Sequence, residues 1–271
     1  MRFLAIGTIF YLGLTASVSA ADEKDKTEKG PKHALGGVVV LGAVSVPEFE
    51  GSSDQTFSPF IGARIQFDRR YLALEGTEFR ANLSKRSGFE VGPVLNVVPG
   101  RDSSVTNAAV SRLEEVDNAI ELGLFVTKSW QGLGNHNGQA SLALQSARDV
   151  STGHGGRQAT LSAEYSGALN PRWQLGMSLS ATLANKDYAD TYFSVSSADA
   201  LASGLPAYTA KGGLKDLGLG VNTNYAMSRN WIVTGFVNYN RLMGDFADSP
   251  IVDLEGNSNQ IIAGLGLGYA F

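Results

Sequence analysis

Beyond residue 36 the chain alternates. In the stretch 172–183, Trp173, Leu175, Met177, Leu179, Ala181 and Leu183 share one parity, and Gln174, Gly176, Ser178, Ser180 and Thr182 share the other. In 157–168, Ala159, Leu161, Ala163 and Tyr165 oppose Gln158, Thr160, Ser162 and Glu164. Leu217, Leu219, Val221 and Tyr225 oppose Gly218, Gly220, Asn222 and Asn224. Trp231, Val233, Val237 and Tyr239 oppose Thr234, Asn238 and Asn240, and Ile120, Leu122, Leu124 and Val126 oppose Glu121, Gly123 and Thr127. A period of two marks a β-strand with two unlike faces. The pattern predicts eleven strands, near 37–46, 57–68, 71–83, 88–98, 118–130, 138–147, 157–168, 172–183, 213–226, 230–242 and 259–271.

Length and contrast separate a membrane barrel from a soluble sandwich. Strands of soluble proteins usually hold about 5–6 residues, whereas a tilted strand crossing a bilayer needs roughly 9–11. Most of these segments have about 10 to 13. The second face is Gly, Ser, Thr, Asn and Gln with occasional charge, as in a lumen lined by small polar side chains. Trp130, Trp173, Trp231, Tyr239, Tyr269 and Phe271 sit near strand ends, where interfacial girdles belong. The expected fold is all-β, a transmembrane antiparallel β-barrel.

Such a barrel normally has an even number of strands, so one is missing from the eleven. One source is the aromatic patch 190–195, DTYFSV. The other is a division of 71–83, where Leu72 and Leu74 are on one parity and Phe79, Ala81 and Leu83 are on the other, switching at Gly76-Thr77. A bulge is the cheaper reading of that slip, because six residues do not span a membrane. Twelve strands are expected, with ten as the alternative. Short connections at Asp68-Arg69-Arg70, Asn170-Pro171-Arg172 and Ser228-Arg229-Asn230 contrast with long ones at 99–117, 184–212 and 243–257. Tight turns tend to be periplasmic and long loops external, but the uncertain strand leaves the sides of the middle loops open.

Composition adjusts this picture. Glycine supplies 32 of 271 residues, about 12% against a usual 7%. There is no cysteine, which removes disulfides, thiolate metal sites and a lipid-modified N-terminal cysteine. A net charge of −4 and a pI near 5.4 do not favour nucleic acid. A mean hydropathy of −0.05 is compatible with a barrel, whose strands average out lipid-facing and lumen-facing residues. Arg2, the apolar run Phe3 to Leu14 and the small residues Val18-Ser19-Ala20 predict an export signal over 1–20, cleaved after Ala20. Residues 21–36 read as a charged, solvated leader, and 37–271 as the barrel. The last strand, ending in Tyr269 and Phe271, is of the kind the barrel-assembly machinery of the outer membrane recognises. It is expected to pair with the first strand, leaving no edge unsatisfied in lipid.

Catalytic chemistry is thin. The histidines are His33 in the leader, His136 in GNHNG and His154 in STGHGGRQ. His154 and Asp149 suggest a base and its orienter, but a histidine between glycines is more often a loop residue. No zinc-protease, nucleophile-elbow or phosphate-loop motif occurs. The acids Glu114, Glu115, Asp245 and Asp248 fall in loops. No catalytic, cofactor or metal residues are expected. Arg64, Asp68, Arg80, Glu90, Glu121 and Glu164 face the predicted interior or rim. In opposed rows they would set ionic selectivity, and paired with one another they would plug a small barrel.

The loops carry a more specific signal. The segments 188–213, YADTYFSVSSADALASGLPAYTAKGG, 151–156, STGHGG, and 244–252, GDFADSPIV, together with the final GLGLGYAF, resemble the MipA/OmpV family of outer-membrane proteins. PEFEGSSD at 47–54 resembles that family's first loop, where a Tyr-Pro-Gly-type segment is common. Phe49-Glu50-Gly51 departs from it. The resemblance covers essentially the whole mature chain. It implies a non-enzymatic barrel in the outer membrane of a Gram-negative bacterium. It also implies a scaffold that binds a lytic murein transglycosylase and a murein synthase at the periplasmic side. A small-solute channel or a surface adhesin is the alternative. No catalytic residues carry over. The loop motif does: Tyr188, Tyr192, Phe193, Ser203, Gly204 and Tyr208, then Asp248, Ser249 and Pro250, beside His154. Asp-Ser-Pro is also a good turn, and the aromatics fit a loop folded back into the mouth.

Overall fold

A computed structural model describes residues 36–134 and 138–271. The expected signal segment with its cleavage point, nearly all of the leader, His33 and His136 lie outside the described residues. The described residues form twelve antiparallel strands that close into one barrel, each neighbour in sequence being a neighbour in space, with β12 returning to β1. The strands are β1 (Gly36–Pro47), β2 (Gln55–Phe67), β3 (Arg70–Glu75), β4 (Glu78–Asn82), β5 (Phe89–Val98), β6 (Ala119–Gln131), β7 (Gln139–Asp149), β8 (Arg157–Ala168), β9 (Trp173–Ala184), β10 (Gly213–Ala226), β11 (Trp231–Leu242) and β12 (Asn259–Ala270). Three short helices lie in the connections: α1 (Lys186–Phe193), α2 (Ser197–Ser203) and α3 (Pro250–Asp253). Among the described residues no helix is long and apolar enough to cross a membrane.

Twelve strands agree with the count from alternation, but the twelfth arises by the route judged less economical. Residues 70–82 are a hairpin, not a bulged strand. Glu75 lies opposite Glu78 across a two-residue turn, Gly76-Thr77, and Gly76 takes the left-handed conformation at φ 61°. Such a turn requires the observed switch of parity, since it pairs Leu74 with Phe79 and Leu72 with Ala81 on one face. The objection that six residues cannot span is met by geometry: the hairpin covers only the lower half of β2, from Gly62 to Phe67. The other candidate, 190–195, lies mostly within α1.

Connectivity settles the sides. Gly36 and Phe271 share one end with the turns at 68–69, 83–88, 169–172 and 227–230 and with the end of β6 and the start of β7. The opposite end carries 48–54, 99–118, 150–156, 185–212 and 243–258. At the seam, Val38 faces Ala270 and Ser45 faces Ala263. Phe271 and Gly37 exchange both backbone hydrogen bonds at 3.0 Å.

The outer face is an apolar belt. Leu124, Leu179 and Leu265 are 67%, 62% and 64% exposed, and similar side chains occupy every strand. A belt of this extent loses on the order of tens of kcal/mol in water at about 25 cal/mol per Å², so it fits lipid. Five of the six end aromatics singled out above lie at the terminal end. Trp231 meets Tyr269 at 5.1 Å between ring centroids, and Trp173 meets Tyr225 at 4.8 Å. The inner face divides into two arcs. From β8 to β10 it is mostly Gly, Ser, Thr, Asn and Gln, with the charges of Glu164, Lys215 and Asp216 among them, and a Cβ on Gly220 would fall 2.4 Å from Asn238 Oδ1 and Ser178 Oγ. On β1 the inward residues are instead valines. Val38, Val40, Val44 and Val46 pack with Phe60, Phe236 and Ile262 into an apolar inner wall.

Leu179→Arg, at mid-belt, is expected to cost about 2–4 kcal/mol in urea unfolding of the lipid-reconstituted barrel. Leu201→Arg, on a cap residue 90% exposed, is expected to stay within about 0.5 kcal/mol.

Candidate functional site

The loops of the end opposite the termini pack together over the strand ends. α1 starts where Asn185 accepts the Tyr188 N–H at 3.3 Å, with Asp187 in the first turn, favourable beside the positive end of the helix dipole. Its buried residues, Tyr188, Ala189, Tyr192 and Phe193, form one stripe aimed down the barrel. They pack against Val98, Ala119, Ala184, Leu242 and Phe246, so the stripe is the core of a cap seated on the strand ends.

Tyr188 anchors that cap. Its hydroxyl donates to Glu50 Oε2 at 2.7 Å, and Lys215 Nζ donates to Glu50 Oε1 at 2.6 Å. The same ammonium is 3.5 Å from Asp216 Oδ2 and 5.0 Å from the centroid of the Tyr188 ring. Lys215 and Asp216 both turn inward because the register of β10 slips between Leu214 and Asp216. Burial, and next to it the Glu50 carboxylate, pushes the Tyr188 phenol well above its ordinary 10. Tyr192 is also raised, by burial first and then by Glu50. Tyr192 donates to the Pro99 carbonyl at 3.3 Å, and Arg101 Nη1 donates to the Tyr192 carbonyl at 3.1 Å.

His154 is buried beneath these rings. Its centroid is 4.9 Å from Tyr188 and 5.6 Å from Tyr192. Nδ1 accepts the Gly156 N–H at 2.9 Å, which places a neutral ring's proton on Nε2, 3.3 Å from Glu121 Oε1. Asp149 does not orient the ring. Its carboxylate accepts backbone N–H groups of Ser151, His154 and Gly155. The arrangement ties the loop 150–156 to the wall beneath the cap.

The remaining motif residues hold the cap to itself. Ser203 Oγ donates to the Asp199 carbonyl at 2.6 Å, and Gly204 ends α2 in the left-handed conformation at φ 84°. Tyr208 and Val195 exchange backbone hydrogen bonds at 2.9 Å, and the Tyr208 hydroxyl donates to the Asp245 carbonyl at 3.0 Å. Asp248 donates its N–H to the Gly244 carbonyl at 2.9 Å. Ser249 Oγ donates to the Phe193 carbonyl at 2.6 Å and accepts the Ile251 N–H, and Pro250 opens α3. These residues thus come together with His154 in one cap, while Tyr269 and Phe271 lie at the other end of the barrel.

Below the cap the lumen is braced. Arg80 hydrogen bonds Glu78 and, at 3.1 Å, Gln145 Oε1 across from β7, and Gln145 Nε2 returns 2.8 Å to Glu78. Arg64 lies 3.6 Å over the Tyr71 ring, whose hydroxyl donates to Glu90 at 2.7 Å. Gln158 reaches Glu121 at 3.1 Å. Asp68 occupies a rim turn. Glu50, Arg101 and Lys215 were not singled out by the sequence reading. Lys215-Asp216 does carry a signal: two adjacent charges in an apolar strand place one of them in lipid unless a bulge turns both inward. Among the described residues no group of His, Asp or Glu is arranged to hold a metal ion.

A model of the family described as MltA-interacting protein MipA matches residues 39–271. No curated protein matches the chain in sequence. Among solved structures the chain is similar to the KdgM porin, at 11% identity over 87% of this chain and 99% of that one, with a TM-score of 0.39. It is similar to OprB of Pseudomonas putida at 11% identity over 88% and 94%, TM-score 0.43, and to OmpT of Vibrio cholerae at 8% over 88% and 97%, TM-score 0.39. Likeness at this level says nothing about ligand or role.

Two measurements check the cap. Lys215→Ala leaves Glu50 without its cation, and chymotrypsin cleavage after Tyr188, Tyr192 and Phe193 is expected to rise at least tenfold, the equivalent of about 1.4 kcal/mol of easier opening. In alkaline titration followed by phenolate absorbance, Tyr188 and Tyr192 are expected to ionise after exposed tyrosines. Their folded pKa is raised, so their stabilisation is complete below 10 and is lost as pH climbs above it.

Proposed function

The chain belongs to the MipA family, and from that premise we propose that it is a non-enzymatic barrel of the Gram-negative outer membrane, a membrane-embedded dock for a murein-processing enzyme. The observation that carries this reading is the capped mouth. A general pore needs an open aqueous path, and here Tyr188, Phe193, Phe246 and Ile251 pack at the end opposite the termini with side chains at most 2% exposed. The site offers no activated nucleophile, and His154 is enclosed by rings rather than open to substrate.

The partner face is the terminal end. In an exported barrel with both ends of the chain on one side, that side is the periplasm, where murein lies. Its turns bear Arg69, Arg70, Lys85, Arg86, Arg172 and Arg229, all exposed. The opposite loops are rich in acid, with Glu48, Asp102, Glu114, Glu115, Asp187 and Asp253 among them. A cationic rim attracts an acidic protein face and speeds encounter. The family's name points to a lytic transglycosylase as that partner, and a murein synthase is the second enzyme such a scaffold brings in. The polar arc from β8 to β10 favours the second reading, a small-solute channel, which requires the cap to swing out.

Planar bilayers and capture separate the two. The intact barrel is expected to give no conductance steps and to retain a lytic transglycosylase in salt-sensitive fashion. Removal of 186–211 is expected to open a conducting path. Stable steps from the intact protein, with no enzyme retained at low salt, would replace the scaffold by the channel.

A further inference from the structure

The loops of the cap end are rich in acid, yet the lipid-facing wall just below them carries two arginines side by side. Arg148 lies directly opposite Arg157 where β7 pairs with β8. Ala147, Asp149 and Gln158 beside them are buried, so by alternation both arginines leave the outer face, and both are exposed. Opposed residues on one face have Cβ atoms about 4.5–5.5 Å apart, and like charges so placed repel. Among the described residues neither guanidinium has a carboxylate partner. Asp187, the acid of the adjoining loop, accepts instead from Asn185 Nδ2 at 2.9 Å. The Asn185 N–H donates to the Arg157 carbonyl at 3.0 Å, and the exposed Lys186 follows it, so a third cation borders the pair.

The pair stands at the cap-side margin of the apolar belt. At the other margin of the same wall, Trp130, Ala140 and Tyr165 form one row. From Tyr165 to Arg157 the strand runs about 26 Å, which a tilt of about 40° turns into roughly 20 Å of membrane depth. The apolar band of such barrels is about 25 Å tall. Val150 and Ile120, joined by a 2.8 Å backbone hydrogen bond one row nearer the cap, are apolar and half exposed. The arginines are therefore set into the upper edge of the belt, where an unpaired charge is unfavourable and an anionic lipid headgroup supplies the missing partner. Beneath them the wall is shallow. The next row is Leu124, Ser146, Ala159 and Leu183. The Ser146 hydroxyl donates to the Gln158 carbonyl at 3.2 Å. Two small side chains between leucines 67% and 54% exposed make a trough that starts at the guanidinium pair.

We propose that Arg148 and Arg157 bind a phosphate monoester of the outer-leaflet glycolipid, one acyl chain of which lies in the trough over Ser146 and Ala159. Guanidinium groups present paired donors that match phosphate oxygens. A monoester carries about −1.5 to −2 charge at neutral pH and so balances two cations, whereas the single charge of a phosphodiester leaves one over. The site rests on the reading of the chain as an outer-membrane barrel with its termini in the periplasm, and is independent of the enzyme-docking rim.

The test is native mass spectrometry of the intact barrel in detergent, titrated with lipid A, the phosphorylated and acylated glucosamine disaccharide. One molecule is expected to bind saturably. Arg148→Gln together with Arg157→Gln is expected to weaken binding at least tenfold, and Ala159→Trp, which fills the trough, about fivefold. Dephosphorylated lipid A is expected to bind the unaltered barrel no better than lipid A binds the double variant. Phosphatidylglycerol, a diester, is expected to compete at least tenfold less well, and inorganic phosphate, which lacks acyl chains, to leave lipid A in place. Arg69→Gln together with Arg70→Gln, at the opposite end, is expected to change nothing. Binding unaltered in the Arg148 and Arg157 double variant, or displacement by phosphatidylglycerol or inorganic phosphate as readily as by lipid A, would overturn the site. If Ala159→Trp does not fold, the arginine variant decides. Sidedness is read separately, by antibody to an epitope inserted after Leu201. Labelling of intact cells without lipid selectivity removes the glycolipid site alone, and labelling only after lysis removes the sidedness and the site with it.

Discussion

Hydrocarbon offers no hydrogen bonds, so each backbone N–H and C=O within the membrane must find its partner in the protein. Much of the structure follows from that. Strands of about a dozen residues, the ring closed by β12 against β1, and turns confined to the rims all serve it. It also gives the exceptions their meaning. Where β3 and β4 stop short, the unpaired edge of β2 carries Pro59, which leaves one N–H fewer without a strand partner. Where β10 slips at Leu214, two charges leave the lipid face together and become the anchor of the cap.

The cap is a small soluble core built on a membrane wall. Its aromatic stripe supplies apolar burial, and the Glu50, Tyr188 and Lys215 contacts fix where that stripe sits. Removing one member of such a buried group costs more than the group contributes as a whole, because the others are left charged and unsolvated. His154, the most chemically suggestive residue in the chain, is built into the same cap. Its Nδ1 accepts the Gly156 N–H, its Nε2 lies 3.3 Å from Glu121 Oε1, and the rings of Tyr188 and Tyr192 cover it from the cap side.

Much of this was legible in the sequence. Alternation located the long strands to within a few residues, because lipid and lumen impose opposite demands on successive side chains. It located β3 and β4 as well, through the parity switch at Gly76-Thr77. The switch reads as a bulge only where each strand must span the membrane, and β3 and β4 line just part of β2 and do not. The valine inner wall of β1 was not legible, since Val38, Val39, Val40 and Leu41 are apolar on both parities. The cap's aromatics were visible as a loop motif. Their partners were not, because Glu50 and Lys215 are far apart in sequence and meet only when the ring is closed.

The seam has a kinetic consequence. Val38 pairs with Ala270, so the contact that completes the cylinder joins residues separated by nearly the entire chain. Contact order at that joint is as high as the polypeptide permits, and the entropy of bringing its halves together is offset only at the final step. A chain interrupted before β12 therefore has no stable partial product. It retains two raw borders rather than one slightly smaller cylinder, and it folds completely or stays a substrate for proteases.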